Sequence, residues 1–364
     1  MNKKIKALIA VGGTGGHVFP GINLASALTE KNYSVKILTD KRGYKFFKET
    51  DKKNVLVFPS SPLIKKNVVL SIFSLSLILY SILKSLLFLT YNRPDIIFGM
   101  GGYASFPICI AASILRIKFV IYENNLIIGR ANKILLPFSK KILVSTNSIQ
   151  GIDNKYKNKI SHIGFLLRDN ILGVKTTNLE ITKNNLSILV IGGSQSAKVF
   201  GEQIPEVIEE CNNKGIKFNV YQQCLEYQKK DIQNIYGKLE IKFELFTFCD
   251  DLSKYYQKSD IAITRCGASS MAELVNLRVP FVAVPLPSSI DNHQLKNAKY
   301  FNEKNYCFLL EQKFLLSKLL NILQDVHQDR NKLYSFKQKM SKHSDKESLM
   351  KAKQIIKDYF NGKI

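Results

Sequence analysis

One stretch of the chain, residues 261–277, combines residue types and spacing that suit an anion-binding turn. An apolar run at 261–264 is followed by a Gly- and Ser-containing turn and then by helical spacing from residue 271. A helix that begins directly after a strand presents backbone N–H groups and its positive dipole end to an anion such as a diphosphate. Glu273 places a carboxylate where ribose hydroxyls can donate to it. The alternative is a capping box, Ser270-x-x-Glu273, which needs no ligand.

A glycine-rich loop near the N-terminus holds a second candidate, His17. The apolar run 7–11 leads into GGTGGH at 12–17, and a helix is predicted from about residue 19 or 20 to residue 31. A dinucleotide fingerprint needs glycine where Val18 stands, and the Gly-Lys-Ser/Thr of a P-loop is missing. The loop can still approach a ligand closely, and a histidine at its end suits general base catalysis. A purely structural role for His17 is the alternative.

The pattern of strand, glycine turn and helix occurs twice, because GGSQSA at 192–197 echoes the first loop. The sequence therefore predicts an α/β protein with two Rossmann-like, doubly wound domains that face each other across a cleft. Residues 142–144 are predicted as the last strand of the first half, and 160–164 as the start of the crossover. A largely polar linker lies near 171–185. We assign residues 1–165 and the C-terminal helix 346–364 to the first domain, and 166–345 to the second.

Composition limits the class of protein. The 364 residues suffice for two domains, and 53 Lys and Arg against 29 Asp and Glu give a net charge of +24. That excess indicates a polyanionic partner (nucleic acid, an anionic membrane or a phosphorylated substrate) or a general lysine-rich bias. Six scattered cysteines show no C-x-x-C spacing, which argues against zinc or disulfides and suits reduced cytoplasm. The run 7–11 is too short for a signal peptide and is predicted as the first strand.

Residues 63–91 form an unusually apolar segment, with no charge from 67 to 83 and with Lys65, Lys66, Lys84 and Arg93 around it. Its length comes close to a membrane span. The strands predicted before and after it belong to one sheet, however, so spanning is disfavoured. We expect helices packed partly in the core, with an apolar face that sits in a membrane interface. An ordinary buried helix pair is the alternative.

Five blocks occur in a characteristic order: GGTGGHVFPG at 12–21, GMGGYASFP at 99–107, GGSQSA at 192–197, and residues 265–273 and 291–294. Together they resemble, over essentially the whole chain, the peptidoglycan N-acetylglucosaminyltransferases of glycosyltransferase family 28, which have the GT-B architecture. The resemblance implies transfer of N-acetylglucosamine from UDP-N-acetylglucosamine to undecaprenyl-diphospho-MurNAc-pentapeptide (lipid I), giving lipid II. It further implies inversion without a metal or other cofactor, and peripheral attachment to the cytoplasmic face of the bacterial inner membrane.

The resemblance also implies roles for particular residues. Glu273 would contact the ribose, the backbone at Cys249 the uracil, Ser194 the diphosphate, and Gln294 the sugar hydroxyls. His17 would be the catalytic base. Tyr103 and Asn124 would lie on the acceptor side. The full donor-binding set is Thr14, Gly15, Gly16, Asn125, Arg168, Ser194, Cys249, Ala268, Ser269, Ser270, Met271, Ala272, Glu273 and Gln294.

The chain departs from the family pattern in three places. It has Glu-Asn-Asn at 123–125 where the family has Glu-Gln-Asn, and His293-Gln294 where the family has two glutamines. It also has Gly-Phe-Leu-Leu-Arg at 164–168 in place of Gly-Asn-Pro-Val-Arg, which changes the backbone before Arg168. Asp250-Asp251 is not a D-x-D metal pair, and a helix N-cap explains it.

Three rival functions stand beside this interpretation. A related GT-B glycosyltransferase would act on another lipid or a soluble acceptor. A nicotinamide oxidoreductase fits poorly because of Val18. A nucleic-acid-binding protein would explain the charge, but no basic–aromatic motif supports it, so we expect no nucleic-acid partner.

Overall fold

The computed structural model describes residues 4–30, 33–62, 68–174, 185–193, 197–249 and 251–362. The chain divides into two compact units, one formed by 1–168 and 345–364 and the other by 169–344. The domain boundaries expected from the sequence, 165/166 and 345/346, lie slightly before the first division and slightly after the second. Of the expected linker 171–185, residues 175–184 lie outside the described part.

Seven described strands of the first unit form one parallel sheet in the order β3-β2-β1-β4-β5-β6-β7. Continuous apolar runs form these strands because helices cover both faces of a parallel sheet. The strands are β1 (Ile5–Ala10), β2 (Tyr33–Thr39), β3 (Val55–Val57), β4 (Ile96–Gly99), β5 (Phe119–Glu123), β6 (Lys141–Val144) and β7 (Ile160–His162). The expectation that β6 ends this half is wrong. Ile160 pairs in parallel with Ile142, so the short β7 forms the sheet edge before the chain leaves the unit.

Helices cover the two faces of this sheet. They are α1 (Gly15–Thr29), α2 (Lys41–Tyr44), α3 (Val68–Tyr91), α4 (Ser105–Ile114) and α5 (Arg130–Leu135). Residues of α3, α4 and α5 share one core cluster, and those of α1 share the other with the C-terminal helix Ser348–Phe360. The apolar segment is thus one long helix where it is described, and not a helix pair. Residues 63–67 lie outside the described part.

Six described strands of the second unit form another parallel sheet, ordered β10-β9-β8-β11-β12-β13. They are β8 (Leu186–Ile191), β9 (Phe218–Gln223), β10 (Phe243–Phe246), β11 (Ile261–Thr264), β12 (Phe281–Ala283) and β13 (Cys307–Leu309). The accompanying helices are α6 (Asp169–Leu172), α7 (Lys198–Asn213), α8 (Lys229–Lys238), α9 (Ser253–Lys258), α10 (Ala268–Asn276), α11 (His293–Glu303), α12 (Leu315–Gln328) and α13 (Asn331–Met340). The C-terminal helix Ser348–Phe360 is α14. Two parallel sheets with flanking helices confirm the predicted α/β class.

Candidate functional site

The first glycine loop leads directly into α1, earlier than expected. Thr14 is the extended N-cap, and its carbonyl accepts hydrogen bonds from the backbone N–H groups of His17 and Val18 at 3.0 and 3.2 Å. The helix therefore begins at Gly15, which corrects the predicted start at residue 19 or 20. Glycines favour a loop and proline favours a helix start, but here the glycines open the helix and Pro20 lies inside it. His17 consequently sits in the first helical turn.

His17 is held in one orientation by the neighbouring strand end. Its Nδ1 lies 3.1 Å from the backbone carbonyl of Met100, which can only accept, so Nδ1 carries the proton. The basic lone pair is then on Nε2. A Cβ on Gly101 or Gly102 would lie 2.9 Å from the His17 ring and 2.7 Å from the Gly12 carbonyl, respectively, and both glycines have positive φ. The GMGGY turn is therefore built to let the His17 ring pack against bare backbone.

Asn124, an expected acceptor-side residue, is bonded to the same helical turn. Pro20 has no N–H to donate to the carbonyl of Gly16, four residues earlier. That carbonyl instead accepts a hydrogen bond from Asn124 Nδ2 at 2.7 Å. The proline inside α1 thus leaves an acceptor through which the end of β5 is tied to the glycine loop.

Glu123, which sequence reasoning did not select, organises the loop after β5. Its Oε1 accepts from the backbone N–H and the Nδ2 of Asn125, both at 3.0 Å. Its Oε2 accepts from the Gly129 N–H at 2.8 Å and from Asn132 Nδ2 at 3.0 Å. Glu123 is 2% exposed, so these four donors offset the cost of burying its carboxylate. Its position at a strand end and its place in the Glu-Asn-Asn block were the available signals.

Arg168 and Tyr103 complete the expected positions of the first unit. The Arg168 guanidinium carbon lies 5.3 Å from the centre of the Phe19 ring, a cation–π contact with α1. Arg168 thus belongs to the first unit, not to the second as expected. Tyr103 is half-buried in the turn between β4 and α4.

The segment before Arg168 is held in place although it lacks the family's proline. The Phe165 N–H donates to Asp345 Oδ1 at 2.9 Å, and the Leu166 N–H donates to the Tyr122 hydroxyl at 3.2 Å. Both partners are buried. Side-chain hydrogen bonds therefore fix a backbone that proline would otherwise restrict.

A buried carboxylate, Asp40, supports the same glycine loop from the end of β2. It accepts from the Gly43 N–H at 2.7 Å, Arg42 Nη2 at 2.8 Å and Ser60 Oγ at 2.7 Å. Burial acts to raise the pKa of Asp40, but these hydrogen bonds and the Arg42 charge outweigh it, and the pKa is lowered. Asp40 Oδ1 also accepts a long 3.4 Å bond from the Gly13 N–H.

In the second unit, helix α10 begins at Ala268 directly after the turn that follows β11. Gly267 is the extended N-cap, and its carbonyl accepts from the Met271 N–H at 3.1 Å. Gly267 has no side chain with which to cap this N-terminus, and the first turn holds no acidic residue. Ser270 lies within the helix, so the capping-box alternative is wrong. The donor positions Ala268, Ser269, Ser270, Met271 and Ala272 form the first turns of the helix.

Glu273 lies one turn further and is 9% exposed. Its Oε2 accepts a hydrogen bond from the Tyr256 hydroxyl at 2.9 Å. The carboxylate is therefore oriented by α9. Sequence reasoning did not identify Tyr256, because nothing in the spacing of two tyrosines at 255 and 256 shows which one reaches α10.

Helix α11 clamps the residue that precedes the N-cap of α10. Gln294 Oε1 accepts from the backbone N–H groups of Cys266 at 3.2 Å and Leu286 at 3.0 Å. Asn297 Nδ2 donates to the Cys266 carbonyl at 3.2 Å. Gln294, expected at the donor sugar, thus also shapes the turn through its Oε1, and its Nε2 is the atom suited to a sugar oxygen. The i,i+3 spacing of Gln294 and Asn297 was a usable signal for this clamp.

Arg265 joins three elements behind the same turn. Its Nη1 donates to the carbonyls of Val284 and Pro285 at 3.2 and 3.3 Å, and its Nη2 donates to Gln312 Oε1 at 2.6 Å. Its guanidinium carbon lies 4.7 Å from the centre of the Phe200 ring. Burial lowers the pKa of Arg265. Arg265 therefore ties the turn before α10 to the chain after β12, to Gln312 and to Phe200 of α7.

Two further donor positions are only partly described. Cys249 is half-buried in the loop after β10, and its Sγ lies 3.1 Å from the Asp251 carbonyl. Ser194, expected at the diphosphate, and Asp250 lie outside the described residues. In the part of the chain that the structure describes, no group of three or more His, Cys, Asp or Glu side chains could hold a metal ion.

Known proteins match both units. The model of the glycosyltransferase family 28 N-terminal domain matches residues 7–144, and that of the C-terminal domain matches residues 187–358. A UDP-N-acetylglucosamine–N-acetylmuramyl-(pentapeptide) pyrophosphoryl-undecaprenol N-acetylglucosamine transferase of Pelagibacter ubique is 39% identical over 330 residues, covering 89% of this chain and 90% of that protein. The protein of the same name from Rickettsia felis is 34% identical, with 88% and 91% covered.

Solved structures share the fold at low identity. MurG of Acinetobacter baumannii has a TM-score of 0.77 and 23% identity, over 98% of this chain and 100% of that one. A Listeria monocytogenes structure described as a putative UDP-N-acetylglucosamine 2-epimerase has a TM-score of 0.66 and 14% identity, over 99% and 98%. Because a transferase and an epimerase both match, this likeness supports the architecture alone.

Proposed function

Because the chain belongs to glycosyltransferase family 28, we propose that it transfers N-acetylglucosamine from UDP-N-acetylglucosamine to the muramoyl sugar of lipid I, giving lipid II. The observation that carries this proposal is the 39% identity to a transferase of that name across 89% of the chain. The N-terminus of α10, which has glycine at its N-cap, and the oriented carboxylate of Glu273 support a nucleotide-sugar site in the second unit.

The donor is proposed to bind along α10. The helix N-terminus would hold the diphosphate, Glu273 the ribose, the Cys249 backbone the uracil, and Gln294 Nε2 a sugar hydroxyl. Ser194 and the first-unit residues Thr14, Gly15, Gly16, Asn125 and Arg168 are proposed to complete the set. Fixed amide dipoles and a guanidinium can stabilise the charge that grows on the diphosphate as UDP leaves.

The acceptor is proposed to bind at the first glycine loop, beside Tyr103 and Asn124, with His17 as the base. The acceptor hydroxyl oxygen bonds to the anomeric carbon of the donor sugar and passes its proton to His17 Nε2. The bond from that carbon to the diphosphate oxygen breaks, and UDP leaves with the electron pair. Attack on the face opposite the leaving group converts the α-linked donor sugar into a β-linked product.

The outer face of α3 is proposed to rest in the cytoplasmic leaflet of the inner membrane. Among the described helices, Leu70–Tyr91 is long and apolar enough to cross a membrane by length and composition. Only 28% of its apolar 18-residue stretch is buried. The helix joins β3 and β4 of one sheet, which favours lying on the surface over spanning. Arg93 follows the C-terminal end of the helix and donates to the Leu115 carbonyl, which brings Arg116 to the same end. These two arginines would add attraction to anionic lipid.

A panel of acceptors tests the function against its nearest rival. Purified protein is given labelled UDP-N-acetylglucosamine, EDTA and either lipid I, diacylglycerol or a soluble muramoyl peptide. We expect label in lipid II and much less in the other acceptors. Label only in diacylglycerol or only in the soluble peptide would support the rival GT-B glycosyltransferase. Loss of all transfer with EDTA would contradict the metal-free mechanism.

A further inference from the structure

The carboxylate of Glu273 is held by a buried tyrosine of another helix. Tyr256 in α9 is 1% exposed, and its hydroxyl donates to Glu273 Oε2 at 2.9 Å. We propose that Tyr256 is a positioning residue, an inference that rests on the proposed donor site. Tyr256 presents the Glu273 carboxylate to the ribose hydroxyls and thereby favours ribonucleotides over deoxyribonucleotides.

Positioning follows from the flexibility and charge of a glutamate side chain. A free glutamate has several rotatable bonds, and its rotamer entropy is lost when a ligand fixes it. A hydroxyl bonded to one carboxylate oxygen removes part of that freedom before the ligand arrives. A carboxylate has about four lone-pair sites, so the bond from Tyr256 leaves the acceptor capacity that ribose hydroxyls need.

Tyr256 is itself fixed in place. The Tyr256 N–H donates to the Leu252 carbonyl at 3.0 Å, and the side chain is buried. At the other end, Cys266, just before α10, is clamped by Gln294 and Asn297. The Tyr256–Glu273 bond therefore joins two segments that are each held by further hydrogen bonds, and removing the hydroxyl should loosen the carboxylate.

The neighbouring Tyr255 offers a matched control. Its ring is 2% exposed and stacks on Phe246 with ring centres 4.6 Å apart. Its hydroxyl donates to a different carboxylate, that of Glu244 on β10. Tyr255→Phe and Tyr256→Phe thus remove the same group from adjacent residues, but only the second touches α10.

The test compares ligands that differ by one ribose hydroxyl. UDP, 2′-deoxy-UDP and 3′-deoxy-UDP are titrated calorimetrically into the wild type and the two variants. We expect Tyr256→Phe to weaken UDP binding about tenfold, on the order of the rotamer entropy of a glutamate side chain that UDP must then fix. The affinity for at least one of the two deoxy-UDP ligands should fall by less than about twofold, so the ratio of UDP affinity to deoxy-UDP affinity should become smaller. Tyr255→Phe should leave that ratio unchanged. In steady-state transfer, Tyr256→Phe should raise KM for the donor while kcat stays within about twofold.

Two further variants separate this inference from the proposed function. If Glu273→Ala leaves UDP affinity unchanged, the proposed donor site is wrong. If Glu273→Ala weakens UDP but Tyr256→Phe leaves the ratio of UDP to deoxy-UDP affinity unchanged, with or without a lower melting temperature, Tyr256 is only structural and the inference fails. Glu273→Ala combined with Tyr256→Phe should bind UDP no more weakly than Glu273→Ala alone, because no carboxylate is left to position, and an additive loss would also overturn the inference.

Discussion

The chemistry proposed for His17 depends on the bond made by its other ring nitrogen. The sequence showed a histidine at a glycine loop, but its tautomer is set by the Met100 carbonyl, a residue distant in the chain. The same holds for Glu273, whose role as acceptor was expected and whose orienting partner, Tyr256, was not. Local motifs therefore predict which residues take part in the site. The orientation of their side chains depends on partners that only the folded chain brings near.

Replacing His17 should reduce catalysis much more than donor binding. We expect His17→Ala to lower kcat by about 100-fold or more, the usual contribution of a general base, with UDP-N-acetylglucosamine affinity nearly unchanged. Steady-state transfer and calorimetry measure the two effects. His162→Ala is the control, because its Nε2 also contacts a backbone carbonyl, that of Ser145, and three strands of the sheet separate β7 from β1. Full activity of His17→Ala would remove it as the base.

Glu273→Gln should separate binding from folding. The amide oxygen can still accept from Tyr256, so we expect the free energy of unfolding to change by less than about 0.5 kcal/mol. The loss of negative charge should weaken UDP-N-acetylglucosamine binding about tenfold. Ser270→Ala should leave stability unchanged, because Gly267 holds the N-cap. A loss near 1 kcal/mol in both variants, with unchanged binding, would instead indicate a capping box.

At the scale of elements, α3 shows what hydrophobic spacing could and could not reveal. The segment is apolar all round, so its spacing did not distinguish a core helix from an interfacial one. The structure buries Ser74, Ser81 and Ser85 and leaves Phe73 and Leu87 each 65% exposed. Ser81 Oγ donates to the Pro59 carbonyl at 2.8 Å, which satisfies a buried hydroxyl. A helix that leaves so many large apolar side chains exposed, while it buries three serines, indicates an apolar neighbour.

Charging the outer face of α3 should detach the protein from membranes. Leu75 and Leu79 are 65% and 57% exposed, so glutamate at both should not disturb the core. We expect the double variant to lower co-sedimentation with anionic vesicles about tenfold or more, through lost apolar burial and added repulsion. Met350→Glu, 61% exposed on α14, is the control. Unchanged sedimentation of the double variant would contradict the membrane proposal.

The Asp40 cluster predicts a pH-dependent contribution to stability. Because the pKa of Asp40 is lowered from 3.8, its carboxylate stabilises the fold above that pH, and the contribution is lost as the pH falls through the lowered pKa. Asp40→Asn should cost about 1 kcal/mol near pH 7, since the Arg42 side chain is partly exposed. Urea unfolding should show the gap between variant and wild type shrinking below pH 3.8. A gap that persists undiminished at pH 3 would contradict this.

For the whole molecule, the repeated strand–glycine–helix pattern was sufficient to predict two doubly wound halves, because apolar runs and glycine turns are local signals. Long-range bonds were not predictable. Asp345 accepts from Phe165, so the chain returns to the first unit through a contact between distant residues. Short β7 was missed for the same reason, since its pairing with β6 and not its composition makes it a strand.

The central claim is that this chain makes lipid II. Its most direct test is a bacterium whose own transferase gene is repressed and replaced by this chain, with the ratio of lipid II to lipid I measured by mass spectrometry. The wild-type chain should keep lipid II at its unrepressed level, whereas His17→Ala, expressed equally, should let lipid I accumulate. Accumulation of lipid I with the folded wild-type chain present would contradict the proposed function.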